Sequence, residues 1–244
     1  MQNKPLVPIL NIPIADGLSI PMVTVEGGDF MMRRDAYRYE NPIHPVKIAS
    51  FEIGQYPVTQ ALWQGVMQDN PSHFKGADLP VEQISWDDTR LFLEKLNALP
   101  NIQQLNEQDG RRFRLPTEAQ WEYAARGGRQ SLGFPYAGSH QLKEVGWFSQ
   151  NSHRATKPVG LKLPNELCLY DMSGNVWEWC ADHWQDDYKK APQDGSAWAE
   201  SDGAGRVVRG GSWSSSGNYC RVSSRYDSIA DFRDDNIGFR LARY

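Results

Sequence analysis

The side chains able to do chemistry in this chain are few and mostly isolated. Its three cysteines, Cys168, Cys180 and Cys220, form no CxxC metal pattern and are too few for a disulfide framework. A free cysteine usually packs as a small hydrophobe, and Cys168, between Leu167 and Leu169, reads as core. The five histidines, His44, His73, His140, His153 and His183, show no metal-ligand spacing and read as surface or hydrogen-bonded residues. What stands out instead is a segment rich in hydroxyl and amide groups, residues 214–236. It is framed by Trp213, Cys220-Arg221-Val222, Arg225, Arg233 and Ile237-Gly238-Phe239-Arg240, and its eighteen other positions hold no Lys, Glu, Gln, Met or Trp. Those five types make up roughly a fifth of average sequences, so a chance absence is on the order of 2%. Tyrosine supplies rigid amphipathic contact area, and Ser, Gly and Asn supply adaptable hydrogen bonds, as in antibody loops. The chemistry such a segment suits is recognition. Its candidate contact residues are Ser214, Ser215, Ser216, Asn218, Tyr219, Ser224, Tyr226, Asp227, Ile229 and Phe232. Arg221, Arg225, Arg233 and Arg240 suit bracing of these loops, through bidentate contacts with Asp231, Asp234 or Asp235.

Something must hold that segment in place. At 244 residues the chain is long enough to bury a core without staples, and 40% hydrophobic with 23% charged residues excludes a wholly disordered chain. A net charge of −4 argues against binding to a nucleic-acid backbone, and no run of about 18 apolar residues predicts a membrane span. Residues 1–20, interrupted by Pro5, Pro8 and Pro13, read as an extended leader over a domain of residues 21–244. With one Lys in its n-region and no cleavage site, the chain as given is expected in the cytoplasm; a surface protein stripped of its signal would read the same. Met22–Phe30 and His44–Ile53 alternate like strands. Thr59 caps a helix to about Gln68. Ser85 with Asp88 caps another, with Leu91, Phe92, Leu93 and Leu96 on its apolar side and Pro100 as its stop. Thr117 with Gln120 caps a third, closed by Gly127-Gly128, and residues 129–244 read as turns and short strands. Helices early and strands late, without βαβ alternation, predict an α+β fold whose function lies on loops.

Four segments in order carry a family resemblance: Met22-Val-x-Val-x-Gly-Gly-x-Phe30; Arg114-Leu-Pro-Thr-Glu-Ala-Gln-Trp-Glu-Tyr-Ala-Ala-Arg-Gly-Gly128; Leu169-Tyr-Asp-Met-Ser-Gly-Asn-Val-Trp-Glu-Trp179; and Arg209-Gly-Gly-Ser-Trp213 with Ile237-Gly-Phe-Arg-Leu241. The chain resembles the formylglycine-generating-enzyme (sulfatase-modifying factor) family over roughly residues 20–243. The resemblance implies a C-type-lectin-like α+β fold, with two or three helices on twisted antiparallel strands and long ordered loops. Enzymes of that family hold Cu(I) with two cysteines, which fall here at Ser215 and Cys220. A hydroxyl cannot replace a soft thiolate toward Cu(I), so neither copper nor the family's oxidation of a substrate cysteine is expected. Another branch uses an iron site of histidines drawn from a separate helical domain, for which this chain has no room. Family members also hold calcium in the segment carrying Asp171, Gly174, Val176 and Glu178, all through oxygen, as a hard cation demands. The same residues also read as a plain turn with Trp177 and Trp179 as core. A second calcium loop after Asn151 is too short here, running at once to Lys157-Pro158-Val159. The resemblance sets Cys180 and Cys220 near one floor of the fold, where a disulfide, a reactive pair and two inert thiols are all open.

The segment 214–236 also resembles the variable region of proteins diversified by retroelements. Randomising the two adenines of an AAY codon yields Asn, Ser, Gly, Tyr, Asp, Ile, Ala and Phe but never Lys, Glu, Gln, Met or Trp. The expectation is a non-catalytic module that binds a protein or other macromolecular ligand through its C-terminal loops, as a variable protein of a diversity-generating retroelement. The alternatives are an oxidoreductase acting through Cys220 and an accessory, chaperone-like module; family loops are also polar simply because turns need such residues.

Overall fold

Alternating apolar residues give the N-terminal part its strands: β1 (Ile9–Ala15), β2 (Leu18–Val25), β3 (Gly28–Met32), β4 (His44–Ile48) and β5 (Phe51–Gly54). They are seen in a computed structural model that describes residues 7–15, 17–33, 41–199 and 205–244. Residues 1–6 and 16 of the expected leader lie outside the described residues, and residues 9–15 pair antiparallel with β2 as an edge strand, with Ile12 buried. The stretch from His44 to Ile53, expected as one strand, is two: β4 pairs with β3, and β5 with β2. The chain turns at Ala49-Ser50 against Gly27, where a Cβ would lie 2.4 Å from the Ile48 carbonyl oxygen.

The helices follow their caps. Thr59 accepts a hydrogen bond from the Leu62 amide and opens α1 (Gln60–Met67). Ser85 and Asp88 form a reciprocal capping box for α2 (Trp86–Asn97), whose buried face holds Trp86, Thr89, Phe92 and Leu96. Leu91, expected on that face, is 45% exposed, because the i, i+4 row through Phe92 and Leu96 turns it outward. Pro100 opens a further helix, α3 (Pro100–Asp109), at the first position, where a missing amide breaks no helical bond. Only Ile102 of α3 is buried, so the sequence shows no apolar stripe there. After β6 (Phe113–Arg114), Thr117 and Gln120 box the start of α4 (Glu118–Ala125), and every residue of α4 is buried. A single turn, α5 (Leu142–Val145), follows. Among the described residues five α-helices, rather than two or three, therefore serve an α+β fold.

The later strands are β7 (Trp177–His183), β8 (Gly205–Arg209), β9 (Arg225–Ile229), β10 (Ile237–Gly238) and β11 (Ala242–Arg243). Two sheets dominate, in orders β1-β2-β5-β11-β6 and β10-β7-β8-β9, and the pair β3-β4 stands apart. Neighbouring strands run antiparallel except β10 beside β7. Both faces of the second sheet are covered. Trp179 and Val208 pack with α2 residues such as Phe92, while Cys180 and Val207 pack with Trp121 and Tyr123 of α4. That leaves β9 as the edge strand through which the C-terminal loops reach solvent.

Candidate functional site

The loops rest on a buried charge network. Glu118 accepts from Arg225 through both oxygens (Nε 2.9 Å, Nη2 2.9 Å), from Arg33 Nη2 at 3.0 Å and from the Tyr188 hydroxyl at 2.6 Å. Arg209 adds an ion-pair contact to Glu118 at 3.4 Å, donates to Glu122 and donates to the Ser224 carbonyl. Arg126 donates to Glu122 at 2.8 Å. Burial would raise the Glu118 carboxyl, but the guanidinium groups of Arg225, Arg33 and Arg209 outweigh it and hold the group at about 2. One turn of α4 thus aims two carboxylates at four arginines, one from β8 and one from β9. The arginine braces are real, but their expected partners are corrected. Arg225 pairs with Glu118, Arg233 with Asp88 (2.8 Å) and Arg240 with Glu178 (2.6 Å), none with Asp231, Asp234 or Asp235. Arg221 donates to the Asn218 carbonyl and the Ser223 hydroxyl. The carboxylates come from distant elements, so each arginine ties a loop to the body.

Above the network the predicted contact residues divide. Ser214, Ser216, Asn218, Tyr219, Tyr226, Asp227, Ile229 and Phe232 are exposed. Ser215 is half-buried: its hydroxyl accepts from the Ser212 amide at 3.0 Å and its carbonyl from the Ser149 amide. Ser224 is corrected. It is 4% exposed and its carbonyl is held by Arg209, so it belongs to the base, not to the contact surface. Tyr219 and Tyr226 meet edge to face with ring centres 6.3 Å apart, and both lie on Trp177, at 6.2 and 6.0 Å. Trp177 is itself buried, 8% exposed, and is the platform under both rings. It alternates with Trp179 along β7 on one face, a pattern that reads as core for both. Ile229 and Phe232 flank a turn closed by the Phe232 amide donating to the Ile229 carbonyl at 3.1 Å.

Ser215 and Cys220 do come together. The Ser212 amide donates to the Ser215 hydroxyl and also lies against the Cys220 sulfur, and Gly211 leaves no room for a Cβ beside that sulfur (2.6 Å). Burial pushes the Cys220 thiol up to about 12, with the Ser212 amide opposing it. The thiol is therefore held protonated at neutral pH, which makes this sulfur a poor nucleophile. Cys180 and Cys220 are both free and belong to separate core clusters, one with α4 and one with Leu142 and Phe148; Cys168 is half-buried beside the first.

The calcium residues fit poorly as a set. Asp171 is buried, with its Oδ2 accepting from the Gly160 amide at 2.8 Å and its Oδ1 without a partner; burial pushes its carboxyl up to about 6. Glu178, the other carboxylate, is already taken by Arg240 through both oxygens (2.6 and 2.7 Å) and by the Trp121 indole at 2.6 Å. A cation there would have to displace a buried guanidinium, so Glu178 does not fit the ligand role. Val176 packs against Gly238, and Gly174 abuts the Trp147 carbonyl. Among the described residues no three His, Cys, Asp or Glu side chains converge as a metal site.

Residues 18–244 match the profile of the sulfatase-modifying factor enzyme 1-like domain family. The chain belongs to this family. Chaperone protein LppX of Paenibacillus barcinonensis is 35% identical to this chain over 93% of its length and 90% of LppX. The formylglycine-generating enzyme of Streptomyces coelicolor is 33% identical over 67% of this chain, which spans about half of that enzyme (52%). Among solved structures, Treponema denticola variable protein 1 superposes with a TM-score of 0.85 at 32% identity, covering 96% of this chain and 98% of that one. PvdO from Pseudomonas aeruginosa follows at 0.80 and 27% identity, covering 96% and 97%. These full-length superpositions confirm the expected α+β, C-type-lectin-like fold of the family.

Proposed function

We propose that this chain is a non-catalytic binding module that offers residues 214–232 to a protein ligand, and that those residues are diversified. One observation carries the reading: along one segment, burial separates frame from contact. Cys220, Val222, Arg225 and Arg240 are buried and tied to the body, while Tyr219, Tyr226, Ile229 and Phe232 stand 41–54% exposed between them. A hydroxyl at position 215 and an un-ionised Cys220 give no support to copper chemistry. The likeness to a Treponema denticola variable protein over nearly the full length of both chains supports the reading, as does the absence of five residue types from the segment. Among the described residues no helix is long and apolar enough to cross a membrane.

Two experiments test it. Sequencing the host locus is expected to find a near-identical non-coding copy of the 3′ end, differing at adenines and beside a reverse-transcriptase gene; a locus without one removes the diversification. Binding of the wild type to a protein array, compared with a variant carrying serine at positions 219, 226 and 232, is expected to give different sets of bound proteins. Identical sets would overturn the binding surface. The similarity to chaperone protein LppX favours a second reading, in which the same exposed aromatic surface holds a client chain.

A further inference from the structure

Strand β9 is an edge strand of its sheet. It pairs with β8 on one side, and among the described residues no element pairs with the other. The register fixes which of its main-chain groups face outward. Gly205, opposite Ile229, directs its carbonyl to the Trp184 amide at 2.9 Å, away from β9. Carbonyl direction alternates along an antiparallel strand, and the register from Gly205↔Ile229 to Arg209↔Arg225 is unbroken. Val207 therefore also turns its main chain away from β9, and its partner Asp227 directs both its amide and its carbonyl outward. Asp227 is exposed, and its carboxylate makes no ion pair among the described residues; it lies beside Gly205, where a Cβ would stand 3.4 Å from its Oδ2. Tyr226 and Ile229, 53% and 54% exposed, flank it with apolar surface.

We propose that this edge takes an extended, basic segment of a partner protein as an added strand. The proposal rests on the binding-module reading and names the partner's chemistry. The residue opposite Asp227 exchanges two main-chain hydrogen bonds with it and brings a Lys or Arg side chain to the same face as the carboxylate. The residues on either side of that cation lie on the opposite face, beside Tyr226, and are apolar. A second copy of this chain does not suit the edge: pairing two β9 strands about their centres sets Asp227 against Asp227, and like charges directly opposite repel.

The test uses a fluorescein-labelled peptide of alternating valine and lysine, its valine–glutamate counterpart, and a valine–lysine peptide N-methylated at alternate amides. Anisotropy with the whole chain is expected to show the lysine peptide bound about tenfold or more tightly than either of the others. Asp227→Pro removes the outward amide together with the carboxylate, and edge strands tolerate proline, so the variant is expected to melt within a few degrees of wild type yet lose the lysine peptide. Asp227→Lys is expected to reverse the preference toward glutamate. Equal affinity for the three peptides, or an unfolded Asp227→Pro chain, which would place that amide in the β8 ladder, overturns the proposal. The array comparison of the serine variant reports on the binding surface separately, so the two ideas fail apart.

Discussion

Replacing Glu118 by Gln should cost this protein more stability than any surface change in its contact loops. The side chain keeps its shape but loses its charge inside a cluster where Glu118 and Glu122 face Arg33, Arg126, Arg209 and Arg225. Each of the arginines that touch Glu118 is at most 1% exposed, so solvent cannot compensate the missing charge. Removing one partner from a buried ion pair typically costs about 3–5 kcal/mol. At about 2.1 cal/mol/K of unfolding entropy per residue, a chain of 244 residues should melt about 6–10 °C lower. Asp88→Asn is the matched control, since the Arg233–Asp88 pair is open to water at 50% and 28% exposure. An exposed pair is worth about 0–1 kcal/mol, a shift of at most about 2 °C. Calorimetry on both variants decides the matter. Equal small shifts would refute the view that buried ion pairs anchor the C-terminal loops.

Three further outcomes follow from the same geometry. Burial pushes the Asp182 carboxyl up to about 7 and Asp171 to about 6, whereas Glu118 is held at about 2. A raised carboxyl stabilises the fold below its unfolded value near 4 and loses that contribution as pH climbs through 6–7; a depressed one stabilises above about 4.5 and is lost on acidification toward 2. Urea unfolding should therefore show greatest stability at about pH 4–4.5, falling toward both pH 7 and pH 2, and a rise from pH 5 to 8 would contradict the assignment. Ser215→Cys sets a second sulfur beside Cys220 around the Ser212 amide, so the variant should retain Cu(I) against a chromogenic chelator where the wild type does not; equal retention by both would contradict the argument from position 215. Because Glu178 is committed to Arg240, millimolar calcium should leave the melting temperature within about 1 °C, and a rise of several degrees would reopen the site at Asp171.

Where local chemistry decides structure, the sequence was legible. The capping boxes at Ser85 and Thr117 formed as their residues dictate, and eight of the ten loop positions picked from composition are exposed, Ser215 and Ser224 being the exceptions. What stayed hidden depends on contacts between distant residues. Ser224 looks like any polar loop residue until Arg209, fifteen positions earlier, closes over its carbonyl. Glu118 and Glu122 read as ordinary helix carboxylates, and only the fold shows them buried against β8 and β9. Trp177 shares its period with Trp179, yet only Trp179 is fully enclosed, while Trp177 carries the two tyrosines. Helix α3 escaped because one buried residue makes no periodic signal.

The central claim is that the exposed positions between the anchors are free to vary without endangering the fold. It is tested most directly by randomising Tyr219, Tyr226, Asp227, Ile229 and Phe232 together and recording cooperative unfolding and target binding for individual members. Most members are expected to unfold cooperatively, with different members binding different targets. A library in which most members fail to fold, or in which every folded member keeps the same target, would contradict it.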